Sequence, residues 1–345
     1  MSEGIKKVIG IFASVLGMIL FLTALTAVTV VYLNSPPEEM KAQPVTVTFE
    51  VRKGESAGSA GQRLADEGFI RSRIFWNILC RLNKEHIKSG HFLIDMPASQ
   101  LAIHKTLVTG RQILERVTVP EGFTLSKTAL LFEEAGICPA GEFIACATES
   151  PVTARYGIPG GSMEGYLFPD TYFFPRGYPA ERTVRAMADN FFSRIGEIDE
   201  TLAAMPPGEL NKTVILASIV EREYRIDEEA PLMAGVFANR LKIGMALQSC
   251  ATVEYVITEI QGKPHPEILS TRDTEIRDPY NTYIRPGLPP GPICAPGMVA
   301  LRAAFSPEKS DYLYFRLVDP ASGKHYFSKT FDDHIRAGTL YTKGR

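Results

Sequence analysis

The sequence predicts an α+β protein attached to a membrane by one N-terminal helix. Three observations carry that expectation. No residue from Val8 to Leu33 is charged. Short segments with strand character stand near both ends of the remaining chain, at Val45–Val51 and from Tyr312 to Ser328. Between them the helical patterns follow one another without the regular β–α alternation of a parallel sheet. A chain of 345 residues has room for two domains and a sizeable core. Its net charge of −2 and the lack of a basic block give no reason to expect nucleic acid as a partner.

Taken in order, the uncharged run would make a helix of about 39 Å, enough to cross a hydrocarbon core of roughly 30 Å. Lys6 and Lys7 precede it and Asn34-Ser-Pro-Pro-Glu-Glu follows, so the positive-inside bias places the N-terminus in the cytoplasm. A cleaved signal peptide is the rival reading, but its apolar region usually spans about 7–15 residues. Residues 35–43 form a short polar linker. Val45-Thr-Val-Thr-Phe-Glu-Val51 alternates as a half-buried strand, Lys53-Gly-Glu-Ser56 turns the chain, and an amphipathic helix runs to Asp66 and closes at Gly68. A similar strand, turn and helix recur from Val117 through Gly122 to Gly136, with the same glycine separation.

Further helices are predicted over Ala180–Ile198, over Thr213–Tyr224, and from Asp227 to a stop at Gly244. The proline-rich stretch Asn281–Gly297 excludes helix and central strand and reads as an ordered loop. Tyr312–Val318 and Lys324–Ser328 flank Asp-Pro-Ala-Ser-Gly as a β-hairpin. The five cysteines form no ladder of pairs, and no Cys/His spacing suggests zinc, so neither a metal nor a cofactor is expected.

Chemistry is most readily sought at Glu221 and Glu223. Three and four residues back, Glu223 meets Val220 and Ile219, whereas Glu221 meets Ser218 and Ala217. Glu223 therefore continues an apolar stripe, where desolvation would raise its pKa toward the range a general acid needs. A solvated helix end is the alternative, and periodicity alone does not exclude Glu221. Around them, the irregular segments supply acidic, amide and aromatic side chains of the kind that stack on and bond to sugars. These are Glu164, Tyr166, Asp170, Tyr172, Asn239, Gln248, Asn281 and Tyr283. Asn281, just ahead of the proline-rich loop, is expected to line a cleft, so that Asn281→Ala costs turnover rather than stability. Of six histidines, His325 and His334 are expected at the surface or capping the core of the hairpin region.

From about Val45 to Arg336 the chain resembles the YceG-like family of membrane-anchored endolytic murein transglycosylases. The matching stretches are Glu164–Tyr172, Ala217–Glu223, Val236–Gln248, Asn281–Tyr283, Gly287–Ile293 and Asp311–Phe315. The resemblance implies a small LysM-like module at 44–112 and a catalytic YceG-like domain at 113–345, after a cytoplasmic tip and membrane helix at 1–34. It implies that Glu223, second of the Glu-x-Glu pair, is the catalytic residue, with Glu221 in support. It also implies peptidoglycan glycan strands as substrate, cell-wall synthases (penicillin-binding proteins) as partners, and a single-pass position in the inner (cytoplasmic) membrane with the catalytic part periplasmic or extracytoplasmic. One departure stands out. Cys250, in Ser249-Cys-Ala-Thr-Val253, occupies a position where the family usually has aspartate.

The implied reaction needs one carboxyl. Protonated Glu223 would release the bond between N-acetylmuramic acid and N-acetylglucosamine, then act as base toward the muramyl C6 hydroxyl, giving 1,6-anhydro ends. Such help typically contributes about 10²–10⁴-fold. Two alternatives remain open at this point: a hydrolase pairing Glu223 with Asp170 or Glu164, and a non-catalytic glycan-binding tether.

Overall fold

A computed structural model of the chain describes residues 3–41, 44–83, 86–110, 112–148 and 151–342. Helix α1, Glu3–Asn34, takes up the uncharged run. Its segment Gly10–Asn34 is 25 residues long and is the one helix, among the described residues, long and apolar enough to cross a membrane. Ala42 and Gln43, the end of the expected linker, lie outside the described residues. The chain divides into two compact units, Met1–Leu114 with Pro175–Gly177, and Glu115–Phe174 with Tyr178–Arg345.

The first unit contains β1 (Val45–Val51), α2 (Ala57–Asp66), α3 (Arg73–Leu82), β2 (Gly90–Met96) and α4 (Gln100–Thr109). The two strands pair antiparallel with Phe49 opposite Phe92. Their alternation turns Phe49, Val51, Phe92, Ile94 and Met96 inward, where they meet Leu64, Trp76, Ile103 and Leu107. Ser56 caps α2 by accepting from the Ser59 N–H at 3.1 Å. The Trp76 indole lies so close to α2 that a Cβ at Gly61 would sit 2.1 Å from its ring. Gly61 is therefore what lets the largest side chain of this core reach its place.

The second unit opens with β3 (Leu114–Thr118), α5 (Leu125–Glu134), α6 (Ala140–Ala147) and α7 (Pro151–Tyr156). Next come β4 (Thr171–Pro175), α8 (Ala180–Ile198), α9 (Pro207–Glu221) and α10 (Ala230–Lys242). It ends with α11 (Cys250–Tyr255), α12 (Met298–Phe305), the strands β5 (Tyr314–Asp319) and β6 (Lys324–Ser328), and α13 (Phe331–Thr342). β3 pairs with β4, and β5 with β6. Helices α2 and α5 end alike: Phe69 N–H returns to the Leu64 carbonyl at 2.8 Å, and Ile137 N–H to that of Phe132 at 2.9 Å. The glycines before them, Gly68 and Gly136, have φ of 74° and 69°. The strand–turn–helix unit seen twice in the sequence is thus built twice.

Helix α9 is the axis of the second unit. Every residue from Val214 to Val220 is buried, and α10 and α12 pack against it. The proline-rich loop is laced to it. Ser218 Oγ accepts from the Ile293 N–H at 3.0 Å, and the Cys294 thiol donates to the Ser218 carbonyl at 3.2 Å.

Candidate active site

The end of α9 differs from the expectation in two ways. The helix stops at Glu221 rather than Tyr224, because the last turn tightens: the Arg222 and Glu223 N–H groups bond back to the Ile219 and Val220 carbonyls at 3.1 and 3.0 Å. And since α9 is buried all round before this point, an apolar stripe does not tell the two glutamates apart. Burial carries both carboxyls from the ordinary 4.5 up to about 7. Neither belongs to a solvated helix end.

Their partners separate them. Glu221 Oε2 accepts from the Gly297 N–H at 2.9 Å, at the head of α12. Glu121 lies near it, and burial raises that carboxyl too. Glu223 lines a pocket of about 480 Å³ together with Arg222, Arg225, Arg240, Gln248, Cys250, Tyr283, Tyr314, Arg316, Phe331 and His334. Ser249 Oγ donates a short hydrogen bond to its Oε1. Oε2 has no hydrogen-bond partner among the described residues. Burial dominates its raised pKa; the Ser249 bond, Arg222 and Arg240 pull it down, and Glu254 pushes it up. A carboxyl balanced near neutrality, with one oxygen held and the other open, can both give and take a proton at one atom.

Two other residues from the sequence reading reach this pocket. Tyr283 places its hydroxyl 3.1 Å from the Cys250 sulfur. Gln248 adopts φ of 50°, left-handed for a non-glycine residue, while its N–H donates to the Thr282 carbonyl at 3.1 Å. The remaining ones lie elsewhere and have structural partners. Glu164 is buried and accepts from the Leu125 N–H at 3.0 and 3.1 Å, capping α5, with burial raising its pKa to about 8. Asp170 accepts from the Thr171 N–H, Asn190 and Arg194. Burial works against those bonds, yet they hold its pKa below the ordinary value.

Tyr166 is buried, its hydroxyl donating to Asn211 Oδ1 at 3.0 Å, and Tyr172 donates to the Phe168 carbonyl at 2.7 Å. Asn239 holds the carbonyls of Ser310 and Tyr312 at 2.8 and 3.0 Å. Asn281 is fully buried and donates to the Thr274 and Ile276 carbonyls at 3.0 and 2.8 Å while accepting from the Tyr283 N–H at 2.9 Å. The expectation that it lines a cleft is overturned: its side chain ties the loop that carries Tyr283. Among the described residues, no group of three or more His, Cys, Asp or Glu could hold a metal ion.

Comparison with known proteins gives this geometry a family. The YceG-like family matches residues 49–339. The chain belongs to the YceG-like family. A protein of Streptococcus pneumoniae serotype 2 (strain D39) named endolytic murein transglycosylase is 29% identical over 321 residues, covering 84% of this chain and 57% of its own length. One of Bacillus subtilis (strain 168) with the same name is 29% identical, covering 88% of this chain and 87% of its own length. This chain thus spans little more than half of the pneumococcal relative. The crystal structure of a yceG-like protein from Listeria monocytogenes is 28% identical, with a TM-score of 0.55, covering 85% of this chain and 99% of that one.

Within this YceG-like domain, the pocket wall contains residues that sequence reasoning missed. Ser249, the partner of Glu223, escapes it too: it stands directly before α11, where a hydroxyl reads as an ordinary helix-start residue. Arg240 falls on the helical period of α10 and reads as packing; it is buried, and donates to the Leu313 and Leu247 carbonyls, both at 2.6 Å. His325 and His334, expected at the surface or capping the core, both line the pocket. Glu229 bonds His325 Nδ1 at 2.7 Å. Burial, then Arg316 and Arg240, lower the pKa of His334, which keeps its ring neutral. The pocket wall is assembled from the turn after α9, from α10, α11, β5, β6 and α13, and from the loops carrying Gln248 and Tyr283, so no local pattern announces it.

Proposed function

We propose that this chain is a membrane-anchored endolytic lytic transglycosylase that cuts peptidoglycan strands between N-acetylmuramic acid and N-acetylglucosamine without consuming water. One observation carries the reading: among the described residues, Glu223 is the only carboxyl lining the pocket. Protonated at Oε2, Glu223 gives its proton to the glycosidic oxygen as the C1–O bond breaks, and the electron pair leaves with the N-acetylglucosamine oxygen. The carboxylate left behind is the anion beside C1. It takes the proton of the muramyl C6 hydroxyl, O6 closes on C1 as a 1,6-anhydro ring, and Glu223 is protonated again.

A hydrolase would need a second carboxyl roughly 5–9.5 Å from the first. Glu164 and Asp170, the partners the sequence offers, are engaged with α5 and with Asn190 and Arg194. Cys250 stands where the family has aspartate, and burial raises its pKa, so it adds no anion there. Mass spectrometry of products from purified sacculi tests the reading. Anhydromuramyl ends are expected; reducing ends would mean hydrolysis, and no cleavage by wild type would mean a tether.

The uncharged segment Gly10–Asn34 of α1, behind Lys6 and Lys7, supports a single pass through the inner (cytoplasmic) membrane, with a cytoplasmic N-terminus and the folded part periplasmic or otherwise extracytoplasmic. The order β1, α2, α3, β2 supports a LysM-like glycan-holding module at 44–112 ahead of the catalytic part at 113–345. Penicillin-binding proteins, which make the strands this enzyme would cut, are the proposed protein partners. A reporter fused after Arg345 should work only if its activity requires export; a working cytoplasmic reporter there would reverse the orientation.

A further inference from the structure

The charge of the pocket does not suit a neutral sugar chain. Four arginines, Arg222, Arg225, Arg240 and Arg316, line it beside a single carboxyl, in a chain whose net charge is −2. The pyranose rings, acetamides and lactyl amide of a glycan strand are uncharged, and their hydroxyls do not call for a cluster of guanidinium groups. Two of the four have partners that account for them. Arg222 pairs with Glu254 at 3.1 Å, and Arg240 holds backbone carbonyls of Leu313 and Leu247 at 2.6 Å.

Arg225 and Arg316 have no hydrogen-bond or ion-pair partner among the described residues. Both are exposed side chains that pass close to a glycine. A Cβ at Gly323, in the β5–β6 turn, would stand 2.9 Å from the Arg225 Cβ. Gly323 also has φ of 77°, so a side chain there is disfavoured twice over. One at Gly338, on α13, would stand 2.5 Å from Arg316 Nη1, so that helix passes close over the guanidinium. The Arg316 charge is felt within the pocket, since after burial it is the next cause of the lowered pKa of His334.

We propose that Arg225 and Arg316 form a carboxylate-binding subsite beside Glu223 that selects strands still bearing charged peptide stems. The inference rests on the transglycosylase reading above and deepens it. The stem hangs from the lactyl group of the same muramyl ring whose C1 is attacked, so its free carboxylates travel with the scissile bond. A guanidinium fork matches a carboxylate in shape and charge. One such charge-assisted pair typically changes affinity by about ten- to a hundredfold.

The test uses the full-length protein in detergent and two pools of uncrosslinked strands: stems intact, and stem carboxyls amidated. We expect kcat/KM for intact strands to exceed that for amidated strands by at least tenfold, and Arg225→Gln with Arg316→Gln to bring that ratio close to one. Equal rates on intact and amidated strands by wild type overturn the subsite, as does a preference that survives in the double variant. If no pool yields anhydromuramyl ends, the catalytic reading has failed instead, and binding decides the subsite. Calorimetry of Glu223→Gln with a soluble disaccharide-peptide should then show at least tenfold weaker binding once its carboxyls are amidated; undiminished binding overturns the proposal.

Discussion

Replacing Glu223 by glutamine should stabilise the protein at alkaline pH while abolishing anhydromuramyl product. The folded carboxyl has its pKa raised from 4.5 to about 7, so the native state holds its proton more tightly than the unfolded chain does. Such a group favours folding fully below about pH 4.5, and that advantage is lost as pH rises through about 7. The charged form is disfavoured by about 3 kcal/mol at pH 8, and by under about 1 kcal/mol at pH 5. Glutamine has no charge to desolvate and can still accept from Ser249, but its amide group must find a partner in the pocket. A net gain of about 1–3 kcal/mol at pH 8 is therefore expected, or about 3–8 °C in Tm for a unit of this size. Thermal melts at pH 8 and pH 5, beside mass spectrometry of digested sacculi, make the measurement. A variant less stable than wild type at pH 8, or equally stabilised at both pH values, refutes the desolvated carboxyl. Product formation by Glu223→Gln refutes its chemistry.

Three further outcomes follow from the same contacts. Because the reacting form carries the proton, initial rates should fall as pH rises through about 7. Ser249→Ala removes a bond that favours the carboxylate, so that limb should move up in pH; a limb that stays or moves down would exclude Ser249 as the tuning group. Glu221→Gln keeps an acceptor for the Gly297 N–H and faces away from the pocket, so it should lower product formation by less than about tenfold; complete loss would exchange the roles of the two glutamates. Asn281→Ala leaves two carbonyls and one N–H without their partner and should cost about 2–3 kcal/mol in thermal melts; an unchanged Tm with reduced turnover would return Asn281 to the cleft.

The parts of the fold that local rules determine were legible. The alternation of Val45–Val51, the caps and glycine stops of α2 and α5, and the full extent of α8 all follow from nearby residues. The end of α9 was not, because a tightened last turn depends on where Gly297 and Ser249 draw the two carboxyls. In the site, Glu223, Gln248 and Tyr283 were legible as motif residues. Tyr166, Tyr172, Asn239 and Asn281 illustrate the limit of residue type: an amide or phenol that bonds a sugar hydroxyl also bonds a backbone carbonyl. Only tertiary placement decides which it does. His325 and His334, read as surface or capping residues, and Arg225 and Arg316 show the converse, since each is ordinary within its own element and gains meaning from its neighbours across the pocket.

The Glu-x-Glu pair stands where elementary helix rules favour cations. The last turn of α9 carries no basic residue, and two carboxyls face the negative end of its dipole. That placement costs roughly 0.3–1 kcal/mol per charge even before desolvation. A helix end selected for stability would have lysine or an exposed glycine there. Instead the surrounding chain is arranged to hold the carboxyls: Ser218 pins the loop that brings Gly297 to Glu221, and Ser249 takes one oxygen of Glu223. A local rule broken in a well-packed core, and stabilised from several elements at once, is where function is to be sought. The two glutamates then divide the work by direction. Glu221 turns toward α12 and keeps the loop in register, while Glu223 turns into the pocket with an oxygen left open. Their near-equal pKa values are thus no guide to which one reacts. The open oxygen is.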